Sequence, residues 1–191
     1  MATYEDLVPR VAIHLSNCPE RVILDSIKNI VREFCRKTKG WVHDCTAIEV
    51  DPTKNTYELI VPEGSTVIHI WGLDGRIGRY EENPEYFLNM DGKLQFNEVL
   101  RHSATINPLV SLMPKLDSDD FPDYLINFFS DALVSGAVAN LQMQPFRDWS
   151  EPNAVGIHHE RYRMGIAEAE KMRDDGLNKS KVRTRVRPHY I

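Results

Sequence analysis

"LVSGAVANLQMQPFRDWSEPNAVGIHHERYRMGIAEAE", residues 133–170, carries two apolar rhythms of helical period with a proline-bounded corner between them. The first rhythm starts further back, in "DSDDFPDYLINFFSDALVSGAVANLQMQ" (117–144). Asp120 is placed to cap that helix, and Pro122 and Asp123 fall in its first turn. The apolar face runs Leu125, Phe128/Phe129, Ala132, Gly136, Ala139/Asn140 and Met143. Its aromatic half can fill a core. Its small half (Ala132, Gly136, Ala139 and Asn140) would let a second helix approach closely. "PFRDWSEP", with Trp149, makes a sharp connection. A last helix then runs from Glu151 to Asp175, and Gly176 ends it. Val155, His159, Tyr162, Ile166 and Ala169 alternate four and three residues apart along it, one face of a helix packing on a helix.

Upstream, "CPERVILDSIKNIVREFCRKTKG" (18–40) repeats the helical signal. Pro19 suits the first turn and Ser16 or Asn17 the cap. Val22/Ile23, Ile27, Ile30/Val31 and Phe34 form one stripe, and Gly40 stops the helix. In "YEDLVPRVAIHL" before it, Pro9 should kink or interrupt a short helix. From Trp41 the period changes. "WVHDCTAIEVD", "TYELIVP", "TVIHIWGL", "RIGRY", "KLQFNEV" and "ATINPLVSLMP" are short, β-branched and aromatic, with hairpin turns expected at Asp74-Gly75 and Asp91-Gly92. The expected fold class is α+β: a mainly α-helical bundle from residues 1–40 and 117–177 (discontinuous), an inserted small antiparallel β-module over 41–116, and an extended basic C-terminal tail over 178–191.

The chain has 191 residues and a net charge of −5. Residues 178–191 hold five Lys/Arg and no acid, so residues 1–177 carry −10. The body should repel nucleic acid, and only the tail should attract polyanions or an acidic protein surface. No run approaches the roughly 18 apolar residues of a membrane helix, and acids near the N-terminus argue against a secretory signal.

Chemistry-bearing motifs are sparse. Cys18, Cys35 and Cys45 form no CxxC and read as reduced thiols. A zinc site from Cys35, His43 and Cys45 would need a fourth ligand and lacks the usual short spacing. Asp117, Asp119 and Asp120 read as caps and dipole partners rather than a metal site. "GLDGRIG" lacks the order of a phosphate loop, and His158-His159-Glu160 is not HExxH; the two histidines point about 100° apart on a helix. His159 reads as a packed or interfacial histidine. There is no GxSxG, and Glu81/Glu82 and Asp174/Asp175 read as solvated pairs. No catalytic set, cofactor site or metal site is expected.

The ending "KSKVRTRVRPHYI" (179–191) places Lys179, Lys181, Arg183, Arg185 and Arg187 on alternate positions, with Val182 and Val186 facing the other way in a strand. Such a segment can add to the sheet edge of another chain, with its bases toward acids, until Pro188 ends the pairing; Tyr190 follows.

Several stretches together resemble one family, the head-to-tail adaptor (connector) proteins of tailed bacteriophages, above all the short-tailed type. The resemblance lies in "CPERVILDSIKNIVREFCRKT", in residues 133–170 quoted above, and in "RVRPHY"; it covers both helical parts and the tail, and the β-insert is not matched residue by residue. It implies a structural virion protein without enzymatic activity. Such proteins form a ring, usually of twelve neighbouring subunits, beneath the portal protein. The ring joins the portal to tail or nozzle proteins, and DNA passes through it without sequence-specific binding. The chain would be made in the host cytoplasm and end at the head–tail junction. Two rival readings are a nucleic-acid-binding module, with Trp41, Trp71 or Phe96 stacking bases, and a small enzyme with its site between helices and insert.

Overall fold

The computed structural model describes residues 1–73, 86–99 and 104–175. The chain opens with strand β1 (Ala2–Thr3), a 3-10 turn (Tyr4–Leu7) and helix α1 (Val8–Ala12), followed by the long helix α2 (Glu20–Thr38). Strands β2 (Val42–Asp44), β3 (Ile48–Val50), β4 (Thr56–Tyr57), β5 (Ser65–Gly72), β6 (Tyr86–Leu88), β7 (Leu94–Phe96), β8 (Ala104–Ile106), β9 (Leu109–Pro114) and β10 (Asp120–Phe121) come next. Helices α3 (Asp123–Gln142) and α4 (Pro152–Asp175) complete the described chain.

Pro9 acts as expected: the N-terminal segment breaks into a 3-10 turn and a short α-helix, with the proline in the first turn of the latter. On α2 the predicted stripe is the buried one, with Ile23, Ile27, Ile30, Val31 and Phe34 at 5 % exposure or less. Burying each such side chain is worth about 1.5–3 kcal/mol. Its caps differ from expectation. Pro19 itself takes the cap position, with no side-chain cap bond, so neither Ser16 nor Asn17 does the job. The stop falls at Lys39, which turns left-handed (φ 50°) and donates its N–H to the Cys35 carbonyl at 2.8 Å.

The expected helical bundle with a separate insert is corrected. The described chain is an α+β mixture with four small antiparallel sheets: three lie within residues 41–116, and the fourth, β1-β10, lies in the helical part. Asp120 is not a cap: it pairs in β10 with Thr3 of β1, and Pro122 holds the cap position of α3. Two short strands therefore sit within the helical core, where Phe121 is fully buried against the Tyr4 ring at 4.9 Å. The sheet of order β2-β9-β5 is joined to the helices through β9, whose Met113 packs on the helical core. Beside it, Arg32 Nε donates to the Pro114 carbonyl at 3.1 Å. Strand β9 is apolar along nearly its whole length because it is covered on both faces, a pattern that helical periodicity cannot anticipate.

"ATINPLVSLMP" splits at Asn107-Pro108 into β8 and β9, and "TYELIVP" contributes only Thr56–Tyr57. The Asp91-Gly92 turn does join β6 to β7, but as a three-residue loop with Gly92 at φ +75°, closed by Asn89 N–H to the Lys93 carbonyl at 2.9 Å. The predicted turn at Asp74-Gly75 and the strand "RIGRY" lie outside the described residues.

Helix α3 occupies the centre. Residues 132–139 are buried all round, so the single apolar face expected for it is an underestimate in its middle. At its two ends the expectation errs the other way: Phe128 and Met143 are exposed. The corner after α3 closes through Glu151 N–H and Ser150 Oγ, both donating to the Gln142 carbonyl, with Phe146 left-handed at φ 60°.

Candidate functional site

Two faces of α4 define the candidate site. The inner face is a seam with α3. A Cβ on Gly165 would stand 2.2 Å from Ala132 Cβ, and one on Gly136 would stand 2.8 Å from the Tyr162 ring and 3.0 Å from Ile30. The two helices are thus as close as their backbones and one tyrosine allow. Of the residues assigned to helix packing, Ala132, Gly136, Ala139 and Tyr162 are buried. Asn140 is exposed and reaches Ser26 Oγ at 3.5 Å through Nδ2. Trp149 is half-buried at the corner, where its Nε1 donates to Gln144 Oε1 at 3.4 Å and the Arg147 guanidinium lies 5.7 Å from its ring. The seam residue missed from the sequence is Gly165, one turn beyond Tyr162 and therefore on the same face.

The outer side is open. Ile157 and Met164, two turns apart on α4, are 62 % and 64 % exposed, and Phe128 and Ile13 lie exposed nearby on the groove that α4 forms with α1 and α3. That groove encloses about 550 Å³. Arg10 and Asp131 make an ion pair across it, and both are solvent-accessible, so the pair adds little to stability. His14 and His158 meet edge to face with ring centroids 5.2 Å apart. The inward histidine is therefore His158; His159, read as packed or interfacial, is exposed and so not packed within this chain. Neither His14 nor Arg10 was singled out by sequence, because both lie on a short helix and the turn after it, without periodicity.

A second constellation sits where helices meet sheet. Trp71 Nε1 donates to Ser111 Oγ at 2.6 Å, and Ser111 Oγ donates to the Lys39 carbonyl at 2.7 Å. Arg173, near the end of α4, lies 5.1 Å over the Trp71 ring, with Lys39 Nζ at 5.7 Å. The Arg173 guanidinium also donates to the Thr38 carbonyl at the end of α2 and pairs with Asp174. Next to it, a cavity of about 490 Å³ is lined by Phe34, Trp41, Tyr124, Phe129, Met172 and Arg173 among others. This is the place between helices and strands where the enzyme reading would put its site. Its lining is mainly apolar, its one charged group among the described residues, Arg173, is already engaged, and burial pushes the Tyr124 hydroxyl far above its ordinary range.

For the base-stacking reading, Phe96 is corrected: it is 4 % exposed, inside the small core under β7 with Tyr57 and Tyr86 packed on it. Trp71 is held by its hydrogen bond and two cations, and Trp41 is half-buried in the cluster under the sheet.

All three cysteines are free. Burial pushes the Cys35 thiol up to about 12, and burial followed by the Asp44 charge pushes Cys45 up to about 11, so both are poor nucleophiles. They belong to different cores, Cys35 to the helices and Cys45 to the sheet. Among the described residues no three His, Cys, Asp or Glu side chains are grouped to hold a metal ion, and no helix is long and apolar enough to cross a membrane. The clasp residues Lys179, Lys181, Val182, Arg183, Arg185, Val186, Arg187, Pro188 and Tyr190 lie outside the described residues.

Searched against protein-family models and against curated proteins, the chain finds no match.

Proposed function

We propose that this chain is a structural adaptor of a tailed bacteriophage virion, one subunit of a ring beneath the portal protein that joins it to tail or nozzle proteins. The observation that carries the reading is the two-sided build of α4. Its inner face is committed to α3 at backbone distance, while its outer face leaves Ile157 and Met164 exposed, with Met164 on the groove that also holds Phe128. Exposed large apolar side chains such as Ile157 and Met164, set among charged residues, suit contact with a protein neighbour better than contact with water. The charge distribution supports the same use. A body of −10 would let DNA pass without adhering, while the five bases of the C-terminal stretch would favour an acidic neighbour.

The test is the mass of the purified protein, first alone and then mixed with the portal ring of the same virion. The reading predicts a ring-sized complex that contains both proteins. A chain that stays monomeric beside portal, with no complex at any concentration, contradicts it.

A further inference from the structure

We propose that His14 and His158 form an acid-sensitive latch, which fastens the N-terminal segment to α4 near neutral pH and lets go when His158 takes up a proton.

The position of each ring is fixed by the fold. His14 follows α1 in a turn held by His14 N–H to the Val11 carbonyl and Leu15 N–H to the Ala12 carbonyl, and Gln142 Nε2 at the end of α3 donates to the His14 carbonyl at 3.4 Å. His158 projects from the second turn of α4 into the same groove. α1 packs on α2 and α3, and the turn after it presents the His14 ring toward α4.

The surroundings disfavour a cation on His158. Its Nδ1 is buried and has no hydrogen-bond partner among the described residues, so a proton added there would leave a buried N–H without an acceptor. The charged groups facing the groove are Arg10 from α1, Asp131 from α3, and Arg161 and Glu168 from α4. Asp131 is already paired with Arg10. Glu151, before α4, favours the proton but is outweighed. Burial first, then His14 and Arg161, hold the His158 imidazole below its ordinary value.

The sign of the linkage follows. The unfolded or unlatched chain takes the proton first as pH falls past about 6.5, the ordinary imidazole value. The stability contributed by neutral His158 is therefore complete above that pH and is lost as pH falls through its lower folded value. Release would uncouple Ile13 and its neighbours from α4 and widen the groove beside Phe128 and Met164. The effect is independent of what, if anything, docks there.

The experiment uses the full chain and its His158→Gln variant. Urea midpoints and amide exchange are compared at about pH 7.5 and about pH 5.5, either side of the ordinary imidazole value. The expected result is a larger loss of midpoint in the wild type than in the variant. Exchange corrected for its intrinsic pH dependence should accelerate at residues 11–15 and 155–162 in the wild type alone. Equal pH dependence in both proteins assigns the loss to carboxylates and overturns the latch. Should the variant not fold, an NMR titration of the wild-type histidines decides the matter: His158 titrating below the free imidazole supports the latch, and His158 titrating at or above it overturns the latch.

Discussion

The two faces of α4 obey opposite rules. Toward α3 there is no space for one methyl group: Gly165 meets Ala132, and Gly136 meets Tyr162. Off that seam, Ile157 and Met164 stand in solvent, Met164 at the edge of the groove. A single helix thus packs on the core with small residues and Tyr162, and leaves Ile157 and Met164 exposed. Burial and steric clearance agree here: the seam side is buried at backbone distance, while Ile157 and Met164 stand exposed among Glu160, Arg161 and Glu168.

Substitutions can break this contrast, and the largest effect is expected on the inner face. Tyr162→Ala removes a ring that is 4 % exposed and packs on Gly136 and Phe34, and should cost about 3–5 kcal/mol in urea unfolding. Gly165→Ala should cost about 3 kcal/mol through overpacking. Adding Ala132→Gly, which moves the methyl to the facing helix, should recover much of that loss. A double variant no better than the single one would show that the seam is not set by this contact. Arg173→Ala comes next, at about 2 kcal/mol, because it removes a donor to the Thr38 carbonyl and a cation from the Trp71 face. Trp71 fluorescence should shift in the same variant. The smallest stability effect, within about 0.5 kcal/mol, is expected for Ile157→Ser with Met164→Ser.

Much of the helical part is legible in the sequence. The α2 stripe, the Pro9 break, the corner at 145–152 and the placement of Tyr162 all follow from periodicity and turn chemistry. What escaped is set by distant partners. Asp120 looks like a cap because acids precede a helix; it becomes a strand because Ala2–Thr3 returns to pair with it, 117 or more residues away in sequence. β9 reads as one more strand of an insert, yet it links sheet to helices through Met113 and Pro114. His158 and His159 cannot be ranked by a helical pattern when the residue that decides between them, His14, sits in a turn far upstream. Arg173 reads as one more cation in the last turn of a helix until Trp71 is brought beneath it by the register of β5 on β9.

The central claim, that the outer face of α4 belongs to a neighbouring protein, is tested most directly by weighing the Ile157→Ser/Met164→Ser variant in the presence of portal. The account predicts a protein with wild-type urea stability that remains monomeric under conditions in which the unmodified chain joins the portal complex. A variant that assembles with the same stoichiometry and the same concentration dependence as the unmodified chain would contradict it.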